Sequence, residues 1–339
     1  MIRRLSIRNF KSLKELEIDC KRINLLIGEP NTGKSNILEL LGLLGWFNSQ
    51  NVPLGEYVRF QSVQDLFYGG DFKDESVRVR MDTEAGPGIG LEMGFEDDAF
   101  KFYFKIYSES GEQSIGTRTL DKSGTILDRT GDLSALTFVK SYNFKKQDRF
   151  PEEFSSFLMP PHGSNLFAVT SGNEKVKEIV SRFFLDFDLK LILNPHDKTF
   201  EFQKQTENKD GDSAFSYPYT LTPDTLQRIL FYIIAIESNE GCTLVFEEPE
   251  SHAFPYYAKY LGEKIAFDER NQYFMATHNP YLLLSILEKA PEDSVSVFIA
   301  HSREHQTKVR CLSSEEVSEL MDYDPFFNLH SFVKDEEEE

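Results

Sequence analysis

The stretch INLLIGEPNTGKS, residues 23–35, decides the fold of this chain. Its apolar first part ends in a glycine, as a buried central strand of a parallel sheet does. The residues that follow, SNILELLGLLGWF (35–47), repeat apolar side chains at the spacing of one helical face. Between them lies Gly28 to Ser35, a complete G-x-x-x-x-G-K-S pattern. This order of strand, loop and helix predicts a loop that binds nucleotide phosphates.

The chemistry of phosphate binding explains the spacing of this loop. Successive backbone N–H groups of a curled loop point at phosphate oxygens, and the dipole of the following helix favours the same anion. Gly33 lets the backbone approach where a side chain would collide. Lys34 brings positive charge to the β- and γ-phosphates, and the Ser35 hydroxyl is expected to ligate Mg²⁺. The predicted nucleotide-binding residues of the loop are Gly28, Glu29, Pro30, Asn31, Thr32, Gly33, Lys34 and Ser35.

The composition narrows the class of protein. The 339 residues are 40% hydrophobic and 13% aromatic, which suffices for a large core and excludes wholesale disorder. The longest apolar run, residues 229–236, is far shorter than the roughly 20 residues of a membrane span. The N-terminus MIRRLSIRNF lacks the apolar segment of a secretion signal. Three scattered cysteines (Cys20, Cys242 and Cys311) favour a reducing cytosol over a disulfide framework or zinc site, so we expect a cytoplasmic protein.

The charge is acidic overall and unevenly distributed. Lys and Arg number 37 against 56 Asp and Glu, a net charge of −19, which argues against a simple nucleic-acid binder. The final residues 335–339, DEEEE, predict a solvated and disordered tail. DNA binding stays open, because a basic strip near the N-terminus either contacts phosphates or is an ordinary solvated strand face. That strip comprises Arg3, Arg4, Arg8, Lys11 and Lys14.

The order of the predicted elements suggests an α/β fold that is split in sequence. Strands and helices alternate in residues 1–70 and again in 218–310, which predicts a mainly parallel core sheet. Residues 71–217 carry alternating, aromatic-rich runs separated by turn residues, which predict an inserted antiparallel β-rich lobe with one helix. Residues 311–334 form a C-terminal extension ahead of the acidic tail.

A pair of carboxylates at the end of a later strand suggests hydrolysis. LVFEEPE, residues 244–250, is an apolar strand that ends in Glu247 and Glu248. Because the chain turns at a strand end, both side chains can face the same phosphate. Glu247 is then placed to hold Mg²⁺ through water, and Glu248 to orient and deprotonate the attacking water. The alternative is a surface acidic turn without catalytic function.

A histidine follows the next predicted strand. QYFMAT, residues 272–277, is apolar, and His278 comes directly after it. A lone histidine is more often packed or solvated than catalytic. However, ligands of parallel sheets bind at the carboxyl ends of the strands. Gly28, Glu247, Glu248 and His278 all lie at this predicted edge, which favours one shared site.

Four segments together resemble the ABC-type ATPase heads of the SMC, RecF and OLD group of AAA-like ATPases. The resemblance covers roughly residues 1–70 and 218–300 and is closest to small stand-alone archaeal and bacterial members without long coiled coils. The segments are NFKSLKELEID (9–19), INLLIGEPNTGKSNILELL (23–41), LVFEEPESH (244–252) and FMATHNPYLL (274–283).

This resemblance implies an ATPase with a P-loop NTPase fold that uses ATP and Mg²⁺. Gly28 to Ser35 become the Walker A loop, Glu247 the Walker B metal carboxylate and Glu248 the catalytic base. His278 becomes the switch histidine that contacts the γ-phosphate. Asn31 and Asn36 fill asparagine positions common in the loop of this group, which adds Asn36 to the nucleotide-binding residues. For the Q-loop glutamine, a further metal contact, the candidates are Gln61 and Gln64, and an ordinary surface glutamine is equally expected at either position.

The signature loop departs from the family pattern. ABC-type heads hydrolyse ATP as a head-to-tail dimer, in which an L-S-x-G loop of one subunit closes on the other's γ-phosphate. The matching stretch here is LTPDTL, residues 221–226. Thr222 can replace the serine hydroxyl and would also cap the next helix, but Asp224 stands where glycine is usual. Two alternatives follow: either Asp224 caps the helix and Thr225 makes the contact, or dimerisation is weak.

Members of the group work in DNA maintenance or in defence against phages and plasmids, often with a separate effector. The leading expectation is therefore an ATP-hydrolysing switch that dimerises on ATP and acts with a partner protein or DNA. Asp224 keeps open a nucleotide-gated scaffold with slow or no turnover. A transporter ATPase subunit is a weaker alternative, since such subunits are usually shorter and have an intact signature.

Overall fold

The computed structural model describes residues 1–49, 52–73, 75–84, 86–208, 211–322, 325–326 and 329–332. The predicted acidic tail, 335–339, lies outside these residues. The strands of the first half are β1 (Ile2–Phe10), β2 (Leu13–Asp19), β3 (Ile23–Ile27), β4 (Val77–Thr83), β5 (Gly88–Glu96), β6 (Ala99–Ser108), β7 (Gly111–Leu120), β8 (Ile126–Gly131) and β9 (Val139–Tyr142). The later strands are β10 (Leu189–Asn194), β11 (Thr199–Asn208), β12 (Gly211–Pro218), β13 (Thr243–Glu247), β14 (Gln272–Ala276), β15 (Val295–Arg303) and β16 (Gln306–Cys311). The helices are α1 (Lys34–Trp46), α2 (Leu166–Gly172), α3 (Glu174–Leu185), α4 (Asp224–Glu237), α5 (Pro255–Phe267), α6 (Pro280–Lys289) and α7 (Ser314–Asp322).

A six-stranded sheet forms the core and has the order β16-β15-β3-β14-β13-β9. All neighbours in it are parallel except β16, which pairs antiparallel with β15 at one edge. Every residue of β3 and β14 is buried, because both faces of a parallel sheet are covered. The predicted α/β class with a mainly parallel core sheet is therefore confirmed.

Antiparallel strands build two further sheets. One has seven strands in the order β2-β1-β4-β5-β6-β7-β8, and the other has three, β10-β11-β12. Pairing crosses the predicted domain boundaries, because β1 and β2 share a sheet with β4 to β8 and because β9 joins the core sheet. The division of the chain at residues 71 and 217 therefore stays a prediction about sequence segments, and their strands are interleaved in space.

Helix α1 is buried between two sheets. The sequence periodicity predicts one apolar face, whereas the structure buries every residue from Ile37 to Trp46. One side of the helix contacts β9, β13 and β14 of the core sheet, and its side chains share an apolar cluster with the seven-stranded sheet. A helix enclosed on both sides is apolar on most of its surface, and Glu39 is the charged exception between Ile37 and Trp46 of α1. Helices α4, α5 and α6 cover the opposite face of the core sheet. No helix within the described ranges is long and apolar enough to cross a bilayer.

Close packing of α5 on α6 gives a test of the fold. An added Cβ at Gly262 in α5 would lie 2.1 Å from Ser285 Oγ and 2.9 Å from the Leu282 carbonyl oxygen of α6. Because such overpacking forces these helices apart, we expect Gly262→Ala to lower the free energy of unfolding by about 1–3 kcal/mol. Urea denaturation measures this. The control is Gly94→Ala in β5, where an added Cβ meets nothing within 4 Å. Equal stability of the two variants would contradict the packing argument.

Candidate functional site

The turns that follow β3, β13 and β14 meet at one edge of the core sheet around a cavity. Its volume is about 560 Å³. Lys34, Glu247, Glu248 and His278, which are far apart in sequence, all line it. The full lining is Ser12, Pro30, Asn31, Thr32, Gly33, Lys34, Ser35, Asn36, Arg59, Glu247, Glu248, Ala276 and His278.

Two glycines fix the course of the loop before α1. Gly28 has a φ of +142°, and a Cβ there would lie 2.3 Å from the Ala300 carbonyl oxygen. Gly33 has a φ of +91°, and its Cβ would lie 1.8 Å from Thr307 Oγ1. Positive φ and these close neighbours both exclude a side chain. The loop thus needs glycine at both positions because it packs directly on β15 and β16.

The Lys34 side chain folds back over the loop. Its Nζ donates hydrogen bonds to the carbonyl oxygens of Gly28 at 2.8 Å and Glu29 at 2.6 Å, and the residue is 5% exposed. Burial lowers the pKa of Lys34, while the charges of Glu248 and Glu247 act in the opposite direction. This ammonium is therefore held at the loop and within the field of both carboxylates.

Asn36 is turned toward the first β-hairpin. Its Nδ2 donates to Ser12 Oγ at 2.6 Å, and Ser12 Oγ lies 2.6 Å from Thr307 Oγ1. The hydroxyl of Thr32 donates to the Glu29 carbonyl at 2.9 Å. These bonds tie the start of α1 to β16 and to the turn between β1 and β2, so the loop is supported from two sheets.

Glu248 has a left-handed backbone conformation, with φ of +43°. This conformation costs a residue with a side chain roughly 1–2 kcal/mol. It is held by a hydrogen bond from the Glu248 N–H to the Ala276 carbonyl, 3.0 Å, and the Ser251 hydroxyl donates to Glu248 Oε2 at 3.1 Å. Neighbouring residues of a strand point to opposite faces. The left-handed turn at Glu248 is what lets it line the cavity together with Glu247.

His278 lies beside the second carboxylate. Its Nε2 is 3.4 Å from Glu248 Oε1. Burial lowers the pKa of His278, the Lys34 charge lowers it further, and the Glu248 charge opposes both. The neutral imidazole is therefore favoured at neutral pH, and it can either donate or accept a hydrogen bond within the cavity.

Arg59 also lines the cavity, although the sequence analysis did not identify it. Its Nη2 lies 3.8 Å from Glu247 Oε1, and its Nε donates to Glu39, a carboxylate of α1 that is only 5% exposed. Lys11 also donates to Glu39. No local motif marks Arg59, because its neighbours come from distant segments. The candidates Gln61 and Gln64 are exposed and are not part of the lining.

The basic N-terminal strip is largely paired within the chain. Arg4 Nε lies 2.9 Å from Asp19 Oδ1, and Arg8 Nη2 lies 2.6 Å from Glu15 Oε1 across the β1–β2 hairpin. Lys11 points inward to Glu39. Such surface pairs contribute little stability, but they leave less free positive charge on this face than the sequence suggests.

The signature-like loop lies outside the cavity lining, and both helix caps predicted for it are wrong. Helix α4 begins at Asp224 with Pro223 at the N-cap, so Thr222 is not the cap. Thr222 is buried instead, and its hydroxyl donates to the Tyr219 carbonyl at 2.5 Å. The Asp224 carboxylate does not cap the helix either; it is exposed and lies 3.2 Å from Lys146 Nζ. Thr225 Oγ1 donates to the His252 carbonyl at 3.0 Å.

Comparison with known proteins identifies the family of this chain. Residues 1–283 match the family model described as AAA ATPase domain. A Helicobacter pylori (strain ATCC 700392 / 26695) protein named ATP/GTP phosphatase is 23% identical over 362 aligned positions, which cover 93% of each chain.

Two solved structures have a similar fold. An Smc head bound to the C-winged helix domain of ScpA has a TM-score of 0.54 and 15% identity, covering 94% of this chain and 99% of that one. An Smc head with an extended coiled coil, bound to the C-terminal domain of ScpA derived from Pyrococcus furiosus, has a TM-score of 0.51 and 12% identity, covering 95% and 98%. At these identities the similarity concerns the fold alone. Because the family model spans residues 1–283 of 339, the chain belongs to the AAA ATPase domain family and is an ATPase with the fold of SMC heads.

Proposed function

We propose that this protein is a Mg²⁺-dependent, ATP-driven switch. The observation that carries the proposal is the single cavity lined by the phosphate loop, Glu247, Glu248 and His278. Lys34 would contact the β- and γ-phosphates, and Glu248 would orient the attacking water and accept its proton. His278, favoured as the neutral imidazole, would contact the γ-phosphate.

The donors at the cavity fit a magnesium ion carried by the nucleotide. Ser35 offers a hydroxyl and Glu247 a carboxylate, both hard oxygen ligands of the kind Mg²⁺ prefers. Mg²⁺ is usually held by one or two carboxylates, substrate phosphates and water rather than by a protein cage. In the described part of the chain no group of three or more His, Cys, Asp or Glu side chains is arranged to hold a metal alone. When bound, the ion would neutralise charge that develops on the phosphates. Gln61 is a weaker candidate ligand, since it lies outside the lining.

Exposed apolar side chains in the signature-like loop and downstream of Glu248 and His278 support an ATP-dependent head-to-tail dimer. Leu221 is the first residue of the signature-like loop, Phe254 follows the Glu248 turn and Tyr281 follows the His278 turn. They are 73%, 68% and 52% exposed. A contiguous exposed apolar surface is typical of interaction sites, and we propose that these three side chains contribute to one such surface. In the dimer, Thr225 and Asp224 would face the partner's nucleotide, with buried Thr222 supporting the loop.

For the biological role, we propose that the dimer acts with an effector protein or DNA in genome maintenance or in defence against phages and plasmids. The Smc heads with the same fold are bound to domains of a partner, ScpA. An exposed carboxylate at Asp224, where a signature glycine is usual, favours slow turnover as the second candidate behaviour, that of a nucleotide-gated scaffold. Because the basic residues of β1 are paired within the chain, an effector protein is favoured over DNA as the partner.

We place the protein in the cytoplasm, in keeping with its three free cysteines.

Removal of the Lys34 ammonium tests nucleotide binding. A hydrogen bond to a charged group contributes about 1.5–3 kcal/mol, so we expect Lys34→Ala to weaken ATP binding roughly 10- to 100-fold. Isothermal titration calorimetry measures the dissociation constant. The control is Lys122→Ala, since Lys122 is exposed in the turn between β7 and β8. If both variants bind ATP like the parent protein, the loop is not the phosphate site.

Replacement of Glu248 separates binding from hydrolysis. Because a general base contributes about 10²–10⁴-fold to rate, we expect Glu248→Gln to lower kcat by at least about 100-fold. Its ATP affinity should stay within a few-fold of the parent value, since the amide leaves the loop unchanged. Phosphate release gives kcat, and calorimetry gives affinity. Hydrolysis by Glu248→Gln at the parental rate would remove Glu248 from the mechanism.

The dimer is tested in the Glu248→Gln background with ATP, in which hydrolysis cannot reverse association. We expect sedimentation to show a dimer with Mg-ATP and a monomer without it. Phe254→Ser should abolish the dimer, because it removes an apolar contact of the proposed interface. Phe267→Ser is the matched control, since Phe267 is 66% exposed but lies at the far end of α5. Equal effects of the two substitutions would contradict an interface at the site.

A further inference from the structure

Glu250 is a buried carboxyl group close to the site but outside the cavity lining. It follows β13 by three residues and is only 4% exposed. Carboxylates are almost never this buried unless they are paired with a partner. Among the described residues, the groups that hydrogen-bond to the Glu250 carboxyl are the Thr277 hydroxyl and backbone amides, and none of these is a cation. Its contacts therefore need an explanation.

A hydrogen bond joins Glu250 to the neighbouring turn. The Thr277 hydroxyl donates to Glu250 Oε1 at 2.5 Å, and Thr277, directly after β14, is fully buried. The same hydroxyl oxygen accepts the Asn279 N–H at 3.0 Å. Glu250 and Thr277 thus connect the turn after β13 with the turn after β14, at a point sealed from solvent.

These two turns carry the groups proposed for hydrolysis. Glu248 precedes Glu250 by two residues, and His278 directly follows Thr277. Glu248 Oε1 and His278 Nε2 are separated by 3.4 Å. Since Glu248 is held in a left-handed conformation that is unfavourable on its own, its position depends on the bonds around it. The Glu250–Thr277 bond lies in the same two turns.

The remaining oxygen of the Glu250 carboxyl is also informative. Oε2 is buried and has no hydrogen-bond partner. Burial raises the pKa of Glu250 to about 7, against the effect of its hydrogen bonds with Thr277 and backbone amides. A carboxyl group in this environment is uncharged in a large fraction of molecules near neutral pH. The Thr277 hydroxyl needs an acceptor oxygen and not a negative charge, and a glutamine amide supplies the same kind of oxygen.

We propose that Glu250 is a positioning residue for ATP hydrolysis, which accepts the Thr277 hydrogen bond and thereby fixes Glu248 relative to His278. This inference rests on the function proposed above. It assigns Glu250 no contact with nucleotide, metal or water. The bond acts by holding two turns in register, so its loss affects turnover and leaves the phosphate loop intact.

Three substitutions separate the elements of this proposal. Thr277→Val removes the donor at nearly constant volume, Glu250→Ala removes the acceptor, and Glu250→Gln keeps an acceptor oxygen. We expect the first two to lower kcat about tenfold or more, because misplaced catalytic groups react slowly. Their ATP affinity should remain within about twofold of the parent value, and Glu250→Gln should keep kcat within about threefold. The double variant Thr277→Val/Glu250→Ala should lose no more kcat than the worse of its two single variants, because both residues contribute to the same contact.

The same two strands provide a matched control at their other end. There Thr243 Oγ1 of β13 donates to Gln272 Oε1 of β14 at 2.9 Å, and both residues are buried. Thr243→Val removes a comparable hydroxyl bond far from the site. We expect it to lower the melting temperature much as Thr277→Val does, while kcat stays at the parental value.

The inference would be overturned if folded Thr277→Val and Glu250→Ala kept the parental kcat. It would also be overturned if Thr243→Val lowered kcat as much as Thr277→Val does. If Glu250→Gln lowered kcat as much as Glu250→Ala, the acceptor oxygen would not be the group that positions the two turns. If Glu250→Ala does not fold, Thr277→Val and Glu250→Gln decide the question. Failure of the proposed function itself is distinguishable, because it would show as parental hydrolysis by Glu248→Gln.

Discussion

The site depends on one packing constraint, which is the tight path of the chain between β3 and α1. The Ala300 carbonyl and the Thr307 hydroxyl occupy the space where side chains at residues 28 and 33 would lie. The loop therefore rests directly on β15 and β16, and α1 starts at Lys34 with its N-terminus at the cavity. Because β3 is parallel to β14, and β14 to β13, the turns bearing Glu248 and His278 reach the same edge.

Local sequence patterns predicted those parts of the site that follow from chain order. Strand, loop and helix are adjacent in sequence, and the direction of parallel strands then brings Glu247 and His278 to the loop. Arg59 and its buried partner Glu39 could not be predicted this way, since their contact joins a loop to the middle of a helix. The ion pair between Lys11 and Glu39 could not be predicted either, because the two residues are far apart in sequence. Likewise, β7 is exposed in its first four residues, and the inward positions of its second half are Gly116, Arg118 and Leu120, so its sequence shows no clear apolar alternation.

The start of α4 shows why a plausible local role can be wrong. Thr222 is a good capping residue by type, and the pattern T-P-D-T places it near the expected helix start. Its hydroxyl is instead used by the preceding turn, where it donates to Tyr219, and Pro223 occupies the N-cap. The proline side chain has no hydrogen-bonding group, so α4 begins without a side-chain cap. Which of two adjacent turns uses the Thr222 hydroxyl depends on the local geometry of both turns, and residue preference alone does not resolve this.

The local charge of the cavity, rather than the net charge of −19, governs anion binding. Its lining contains two cations, Lys34 and Arg59, and two carboxylates, Glu247 and Glu248, while burial favours the neutral form of His278. Side chains alone thus come close to balance and cannot neutralise a triphosphate. In the proposed function, the remaining attraction would come from the backbone N–H groups of the loop, the N-terminus of α1 and a divalent cation. This charge balance therefore supports the proposed metal dependence, in addition to the identity of the ligands.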